Sequence, residues 1–248
     1  LSHIIPKNII TVSKKAKKIY EITGYKKKII KFIPNGYDLS ILKVSKFKKI
    51  KFKKKINFKK KIPLIGNVAR FDPQKDHLNL LNALYLIRKR NIDFFCILVG
   101  FNVNKKNVDL VSNIKKLKLS NHVKLLGQHD NISEVMNGLD LHILSSSYGE
   151  GFPNVIAESM ACGTPCIATD VGDSSFVIGK TGWVVPPKNS VKLATAIERA
   201  LYEKNTSKWN KRCNKARQRI KKKFSIMKMI ESYNNLWIKV YKKNRIKI

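Results

Sequence analysis

Two glutamates, Glu150 and Glu158, lie eight residues apart on either side of a Gly-Phe-Pro turn in the segment SSSYGEGFPNVIAESMACGTPCIATD. The turn predicts the start of a helix, whose first backbone N–H groups and partial positive charge favour a bound anion. This anion site would lie against Gly151, Phe152 and Asn154, with a carboxylate at each end to accept hydrogen bonds from hydroxyl groups. The pattern fits a ligand that is anionic in the middle and rich in hydroxyls at both ends, such as a nucleotide sugar.

A purely structural role for the two glutamates is the alternative, because acidic residues in the first turns of a helix also complement its dipole. Gly149 and Pro153 crowd around Glu150, however, and such residues favour close approach of the backbone to a ligand. Small side chains such as Ala157 share the helix face of Glu158 and leave room there. We therefore interpret both glutamates as ligand-binding residues.

Two cations, Arg70 and Lys75, follow the first predicted strand of the main domain in the segment GNVARFDPQKDH. Arginine offers a planar fork for phosphate oxygens and lysine a point charge, and Pro73 bends the chain between them. Two neighbouring cations are weak evidence for a binding site by themselves, because the chain contains 51 Lys and Arg. Their place at the carboxyl end of a strand, where α/β sheets bind ligands, favours a joint phosphate site.

The sequence gives only weak indications of a base pocket, a catalytic histidine or a metal site. The strand VKLLG ends at Leu126 and Gly127, which we assign as one wall of a base pocket; that role needs only backbone groups and an apolar side chain, so the sequence specifies it weakly. His142 lies within the strand LHILS and is interpreted as a core histidine rather than a catalyst. The sequence has no DxD, HxH or HExxH pattern and no CxxC, so it predicts no metal site and four free cysteine thiols.

The formal charge of +35 comes from 51 Lys and Arg against 16 Asp and Glu in 248 residues, of which 43% are hydrophobic. Such a chain can bury a core, and no apolar run is long enough to predict a transmembrane helix. Solvated lysine spread over the surface is the simplest explanation of the charge. Among functional explanations, contact with an anionic membrane is favoured over nucleic-acid binding, because no nucleic-acid-binding motif accompanies the lysines.

From Leu64 onward, apolar runs alternate with helical patterns, which predicts an α/β domain with a doubly wound, Rossmann-like parallel sheet. The predicted strands are Leu64–Val68, Phe94–Val99, Val123–Leu126, Leu141–Leu144, Pro165–Ala168 and Gly182–Val185. The predicted helices are His77–Arg90, Asp109–Lys116, Ile132–Asn137, Pro153–Ala161 and Val191–Leu201.

The flanking segments divide the chain into four parts. Residues 1–40 read as strand, short helix and strand, and are interpreted as the remnant of another sheet. Residues 41–61, rich in lysine, are interpreted as a solvated interdomain linker, with a basic strand or a membrane-touching patch as alternatives. Residues 62–205 form the predicted main domain, and residues 206–248 predict helices, the last of which buries one apolar stripe that includes Phe224, Met227 and Trp237.

The chain resembles the C-terminal portion of the retaining glycosyltransferases of family 4, which have the two-domain GT-B architecture. The segments that carry the resemblance are VSKKAKKIY, FIPNGYD, IGNVARFDPQKDHLNLLNAL, CILVG, VKLLGQ, MNGLDLHILSSSYGEGFPNVIAESMACGTPCIATDVGD and TGWVVPP. The glutamate pair matches the E-x7-E signature of that family. The resemblance covers almost the whole chain, but most of the N-terminal, acceptor-binding domain of such enzymes has no counterpart here.

The resemblance implies transfer of a sugar from a nucleotide diphosphate sugar, with retention, in cell-surface polysaccharide or glycolipid synthesis. Arg70 and Lys75 would hold the diphosphate, and Glu158 the ribose hydroxyls. Glu150 would lie at the reacting sugar, as the catalytic residue, and Gly151, Phe152, Pro153 and Asn154 would present the loop backbone to the donor. No metal or other cofactor is expected. The acceptor would be a glycan or a lipid-linked glycan.

The expected location is the cytoplasm, at the inner face of the plasma membrane. Because most of the acceptor domain lacks a counterpart, a fragment that binds the donor without turnover, or a regulatory module, is the alternative function. A basic nucleic-acid binder that uses residues 41–61 is a third hypothesis, which the missing motifs disfavour.

Overall fold

The computed structural model of the chain describes residues 6–245, and the side chains of residues 6–242. Strands β1 (Ile9–Thr11) and β2 (Ile30–Phe32) form a parallel pair, joined by helix α1 (Lys14–Ile22). The side chain of Ser13 caps α1 by accepting a hydrogen bond from the Ala16 N–H at 3.1 Å. The strand, helix and strand predicted from the sequence are therefore present.

The lysine-rich segment contains a packed helix where the sequence predicted a solvated linker. Helix α2 (Lys46–Lys55) begins after Ser45, whose hydroxyl accepts from the Lys48 N–H at 3.1 Å. Phe52 is fully buried, and its ring lies so close to Gly138 that a Cβ there would be 2.1 Å from Phe52 Cδ1. The linker prediction is wrong for this helix, as is the strand alternative, because one buried aromatic residue among many lysines is enough to seat the helix on the core.

The main domain contains a parallel sheet of six strands in the order β5-β4-β3-β6-β7-β8, with helices between successive strands. This architecture confirms the predicted α/β, doubly wound fold, and each predicted strand end lies within one residue of the observed one. The elements are β3 (Leu64–Val68), α3 (His77–Lys89), β4 (Phe95–Val99), α4 (Val108–Lys116), β5 (Val123–Gly127), α5 (Ile132–Gly138), β6 (Leu141–Leu144), α6 (Asn154–Ala161), β7 (Cys166–Thr169), α7 (Ser174–Ile178), β8 (Trp183–Val185) and α8 (Ser190–Lys204).

Both faces of this sheet are covered. Successive residues of a strand point to opposite faces, so Leu64 packs towards α2 and α5, whereas Ile65 packs among α3, α4 and α8. Both side chains are completely buried. This two-sided burial explains why the strands read as nearly continuous apolar runs in the sequence.

Two further helices follow, α9 (Lys208–Lys223) and α10 (Ile226–Arg245). Ala216 and Ile220 of α9 are buried in the cluster that includes α6. Phe224, between the two helices, is also buried, but Met227 and Trp237 of α10 are 68% and 60% exposed. Within the described residues, the predicted apolar stripe of the last helix is therefore not buried at these two positions, and its burial stays a prediction.

Candidate functional site

The candidate site lies where the winding of the sheet reverses. Strands β3 and β6 are neighbours at the centre of the sheet, yet the chain proceeds from β3 towards one edge and from β6 towards the other. The loops after their carboxyl ends therefore diverge and leave a crevice, which is where open α/β sheets bind ligands. These loops carry Arg70 and Lys75 after β3, and Glu150 after β6.

Lys75 and Glu150 form an ion pair across this crevice, between Lys75 Nζ and Glu150 Oε1. Their side chains are only 13% and 8% exposed, so the pair is shielded from water on most sides. The Ser146 hydroxyl donates to the same carboxylate oxygen at 2.6 Å. Two charges that the sequence placed in separate motifs thus meet in one site, where Glu150 orients the ammonium group.

Hydrogen bonds between the two loops hold this geometry. The Ser145 hydroxyl donates to the Lys75 carbonyl at 2.8 Å, and the Ser147 N–H donates to the Gln74 carbonyl at 2.8 Å. Lys75 itself ends a short 3-10 helix, Pro73–Lys75, that is capped by the carboxylate of Asp72. The ammonium group is therefore presented by backbone that is fixed on both sides.

Arg70 lies at the same edge of the sheet but does not join the buried pair. Its side chain is 55% exposed, with Nε 3.2 Å from Asp72 Oδ2 and one terminal nitrogen 3.2 Å from Gln74 Oε1. Exposed pairs of this kind contribute little to stability. The guanidinium can therefore exchange these partners for a phosphate at small cost.

The loop from Gly151 to Asn154 reaches α6 with its aromatic side chain turned inward. Phe152 is 6% exposed, its ring stacked 6.3 Å from that of Tyr37 and edge-on to Phe224 at 5.3 Å. Pro153 is buried as well, whereas Gly151 and Asn154 are exposed. This burial leaves Phe152 with only its backbone to offer a ligand.

Asn154 is the first residue of α6, and its side chain already has partners. Its Oδ1 accepts from the Tyr37 hydroxyl at 2.7 Å and from Asn35 Nδ2 at 2.8 Å. These bonds connect the segment after β2 to the start of α6. Tyr37 is a site residue that the sequence alone did not reveal, since its only signal is an aromatic residue in the FIPNGYD motif.

Glu158 lies one turn further along α6 and is partly buried. Burial raises its pKa, and among the described residues it takes part in no ion pair. Burial and the nearby charge of Glu158 together raise the pKa of the Tyr37 hydroxyl. A poorly hydrated carboxylate without a cation is a strong acceptor for ligand hydroxyl groups.

Leu126 and Gly127 end β5, the edge strand on the β4 side of the sheet, two strands away from β3. The Gly127 N–H donates to the Val103 carbonyl, and its carbonyl accepts from the Gly100 N–H, both at 2.8 Å. Both backbone hydrogen-bonding groups of Gly127 are thus engaged. Leu126 adds a half-buried apolar side chain to this end of the strand.

The remaining candidates are structural. His142 is fully buried in β6, and burial lowers its pKa to about 3, as suits a core histidine.

All four cysteines have free thiols. Over residues 6–245, no cluster of three or more His, Cys, Asp or Glu side chains is arranged to hold a metal ion. Over the same residues, no helix is long and apolar enough to cross a membrane.

Comparison with known proteins assigns the segment that forms this crevice to a protein family. The model of the family described as "Glycosyl transferases group 1" matches residues 48–223, which include Arg70, Lys75, Glu150 and Glu158. The chain belongs to this family. The family transfers sugars, and its match spans the whole six-stranded sheet and both loops of the crevice.

Individual members of the glycosyltransferase class resemble the chain in sequence and structure. The phosphatidyl-myo-inositol mannosyltransferase of Mycobacterium leprae is 35% identical over 144 residues, 54% of this chain and 37% of that protein. A glycosyltransferase from Rickettsia africae superimposes with a TM-score of 0.88 and 25% identity, over 95% of this chain and 64% of that one. HepE from Anabaena, in complex with UDP and glucose, superimposes with a TM-score of 0.83 and 25% sequence identity. The match covers 93% of this chain and 62% of the HepE chain.

The extent of these matches defines which part of a glycosyltransferase the chain represents. It corresponds to the C-terminal half of the GT-B fold, as the sequence predicted. The matched regions amount to only 34–37% of the lengths of three curated relatives.

Proposed function

We propose that this protein binds a nucleotide diphosphate sugar in the crevice between the β3 and β6 loops, as the donor-binding part of a retaining glycosyltransferase of family 4. The observation that carries the proposal is the shielded Lys75–Glu150 pair at the point where the sheet winding reverses. The complex of HepE with UDP and glucose supports a donor of this chemical class.

The roles of the residues follow from their surroundings. The Lys75 ammonium has three N–H donors and gives one to Glu150, so others can meet the oxygens of a diphosphate. Arg70 reaches the same anion from the exposed side of the loop. The backbone of Gly151 and the N-terminus of α6 add N–H groups and a partial positive charge.

The two glutamates would bind the hydroxyl-rich ends of the donor. Glu158, which has no cationic partner in the described chain, accepts from the ribose hydroxyls. Glu150 lies beside the sugar and the reacting carbon, and we propose it as the catalytic residue. By fixing Lys75, it directs a positive charge to the place where negative charge develops as the sugar–phosphate bond breaks.

We propose that no metal is needed, because Arg70, Lys75 and the helix end together supply the positive charge that the leaving diphosphate requires. The proposed acceptor is a glycan or a lipid-linked glycan of the cell surface, and the relative that mannosylates phosphatidyl-myo-inositol supports an acceptor with a lipid part. The proposed location is the cytoplasm, in peripheral contact with the inner face of the plasma membrane.

Calorimetry with UDP and UDP-glucose, in the presence and absence of EDTA, tests donor binding. We expect binding that is insensitive to EDTA, and a loss of at least about tenfold in affinity for Arg70→Gln, since a charge-assisted hydrogen bond contributes about 1.5–3 kcal/mol. Arg90→Gln is the matched control, because Arg90 is a partly exposed arginine paired with Glu198 outside the crevice. Equal losses for both variants, or no binding by the parent protein, would overturn the proposal.

Product analysis by NMR tests the chemistry. Transfer or donor hydrolysis that keeps the anomeric configuration supports a retaining enzyme, and inversion contradicts it. Binding without any turnover would instead support a donor-binding module, the alternative function for this chain.

A further inference from the structure

The outer face of α2 exposes large apolar side chains. Phe47 and Ile50 are 75% and 69% exposed, and they lie three residues apart, on the same side of the helix. Ile41 and Val44, just before the helix, are 62% and 59% exposed. Four large apolar residues within ten positions are thus left in water.

The opposite side of α2 holds the helix firmly against α5. Phe52 is buried there, and the Ser45 N–H donates to Asn137 Oδ1 at 2.7 Å. Lys49 pairs with Asp140 at 2.9 Å, and Lys51 with Glu134 at 2.7 Å. Since these contacts fix its rotation, α2 cannot turn Phe47 and Ile50 towards the core.

The seven lysines of α2 differ in their partners. Lys48, Lys49, Lys51 and Lys53 bind residues of α5 or its flanks, and Lys55 Nζ lies 3.3 Å from His129 Nε2. Lys46 and Lys54 are exposed, form no ion pair with any described residue, and each lies four positions from Ile50. They therefore border the exposed apolar side chains on the outer face.

The charge around this face has one sign. Residues 41–61 contain eleven lysines and no acidic residue. Basic side chains around a small apolar patch complement an anionic lipid surface, in which apolar groups enter the headgroup boundary while lysines meet the phosphates. Ile41, Val44 and Ile50 have no aromatic ring to stack on a nucleic-acid base, so the mainly aliphatic character of the patch argues for lipid over nucleic acid.

We propose that the outer face of α2, formed by Lys46, Phe47, Ile50 and Lys54, binds the surface of an anionic lipid bilayer. The aromatic and aliphatic side chains enter the boundary between headgroups and acyl chains, and the two ammonium groups lie at the lipid phosphates. This inference deepens the proposed peripheral contact with the membrane by assigning it a surface, and it is independent of donor binding, because α2 contributes none of the proposed donor-binding residues.

Vesicle flotation tests the proposal. The full chain should bind vesicles of phosphatidylglycerol and phosphatidylcholine in equal parts much more strongly than pure phosphatidylcholine vesicles. Phe47→Ser with Ile50→Ser should lower the partition constant by at least about tenfold. Lys46→Gln with Lys54→Gln should lower it roughly 20- to 30-fold, at about fivefold for each lysine near the surface.

Two matched controls separate this face from general charge and hydrophobicity. Val108 and Val191 are exposed apolar residues at the starts of α4 and α8, and their serine variants should bind like the parent. Lys115→Gln with Lys116→Gln removes two exposed lysines of α4 and should have much less effect than the α2 lysine pair. UDP binding, measured without vesicles, should be unchanged in every variant.

Three results would overturn the proposal. The first is that the parent binds anionic and neutral vesicles equally, and the second is that the α4 lysine pair matters as much as the α2 pair. The third is that the Phe47→Ser, Ile50→Ser variant binds vesicles like the parent while the α2 lysine variant loses affinity for a single-stranded oligonucleotide. That last outcome would assign the face to nucleic acid.

Discussion

The backbone N–H of Asp173 donates to the carbonyl of Gly151 at 2.9 Å. The carboxylate of Asp173, which is 1% exposed, accepts from the N–H groups of Lys14 at 2.6 Å and Lys15 at 3.0 Å. One buried residue therefore connects the start of α1 and the start of α7 to the loop that carries Glu150. The position of the candidate site depends on backbone contacts from segments far apart in the sequence.

Gly172, next to Asp173, should tolerate no side chain. Its φ is +55°, and a Cβ would lie 2.0 Å from the Glu150 carbonyl oxygen. Gly172→Ala should lower the free energy of unfolding by more than about 2 kcal/mol, because a backbone clash adds to the strain of positive φ. Gly24→Ala is the control, since Gly24 has φ +91° with no atom of the described residues within 4 Å of a Cβ, and should cost only about 1–2 kcal/mol. Equal losses in urea denaturation would contradict this account.

Removing one member of the Lys75–Glu150 pair should cost more than removing both charges. Lys75→Met leaves a shielded carboxylate whose only remaining partner within residues 6–245 is the Ser146 hydroxyl, and should lower the free energy of unfolding by about 3 kcal/mol. Adding Glu150→Gln should recover most of that loss, while UDP affinity stays low because the cation is gone. A double-mutant cycle in urea measures the coupling, and additive losses would show that the pair is not shielded as described.

Glu158→Gln should stabilise the protein at neutral pH. Burial raises the pKa of Glu158 above its usual 4.5, so the folded state holds this proton more tightly than the unfolded chain. Stability from this group is therefore fully present below about pH 4.5 and falls as the pH rises through the native pKa. The variant should melt higher than the parent at pH 7 but not at pH 4, and should bind UDP at least about tenfold more weakly. A melting difference independent of pH would argue against this assignment.

His142→Leu should make the protein more resistant to acid. Burial lowers the pKa of His142 from 6.5 to about 3, and its Nε2 has no hydrogen-bond partner among the described residues. Protonation of the unfolded chain lowers the stability of the parent as the pH falls from about 6.5 towards 3, by up to about 1.4 kcal/mol per pH unit. The variant should lack this contribution in urea melts at pH 7, 5 and 4. Parallel pH profiles for the two proteins would count against it.

The strands of the main sheet were predictable because two-sided burial leaves apolar runs such as LHILS, and the short length of these runs separates them from buried helices. The place of Arg70, Lys75 and Glu150 at strand ends followed from the same pattern. The Lys75–Glu150 contact did not, since the two residues are 75 positions apart and no local pattern specifies which lysine meets which glutamate. Helix α2 was missed because most of its residues are lysines, a composition typical of a solvated linker. Its contact with the core depends on one buried side chain, Phe52.

The inward position of Phe152 has a consequence for binding entropy. A loop that presents its backbone to a ligand normally loses conformational freedom when the ligand arrives, at about 1–2 kcal/mol for each residue that becomes ordered. Here the stacked ring of Tyr37 and the edge of Phe224 already hold the loop in the free protein. A donor bound as proposed would meet a loop that is already ordered in the free protein, so its affinity would not be lowered by that loss of entropy.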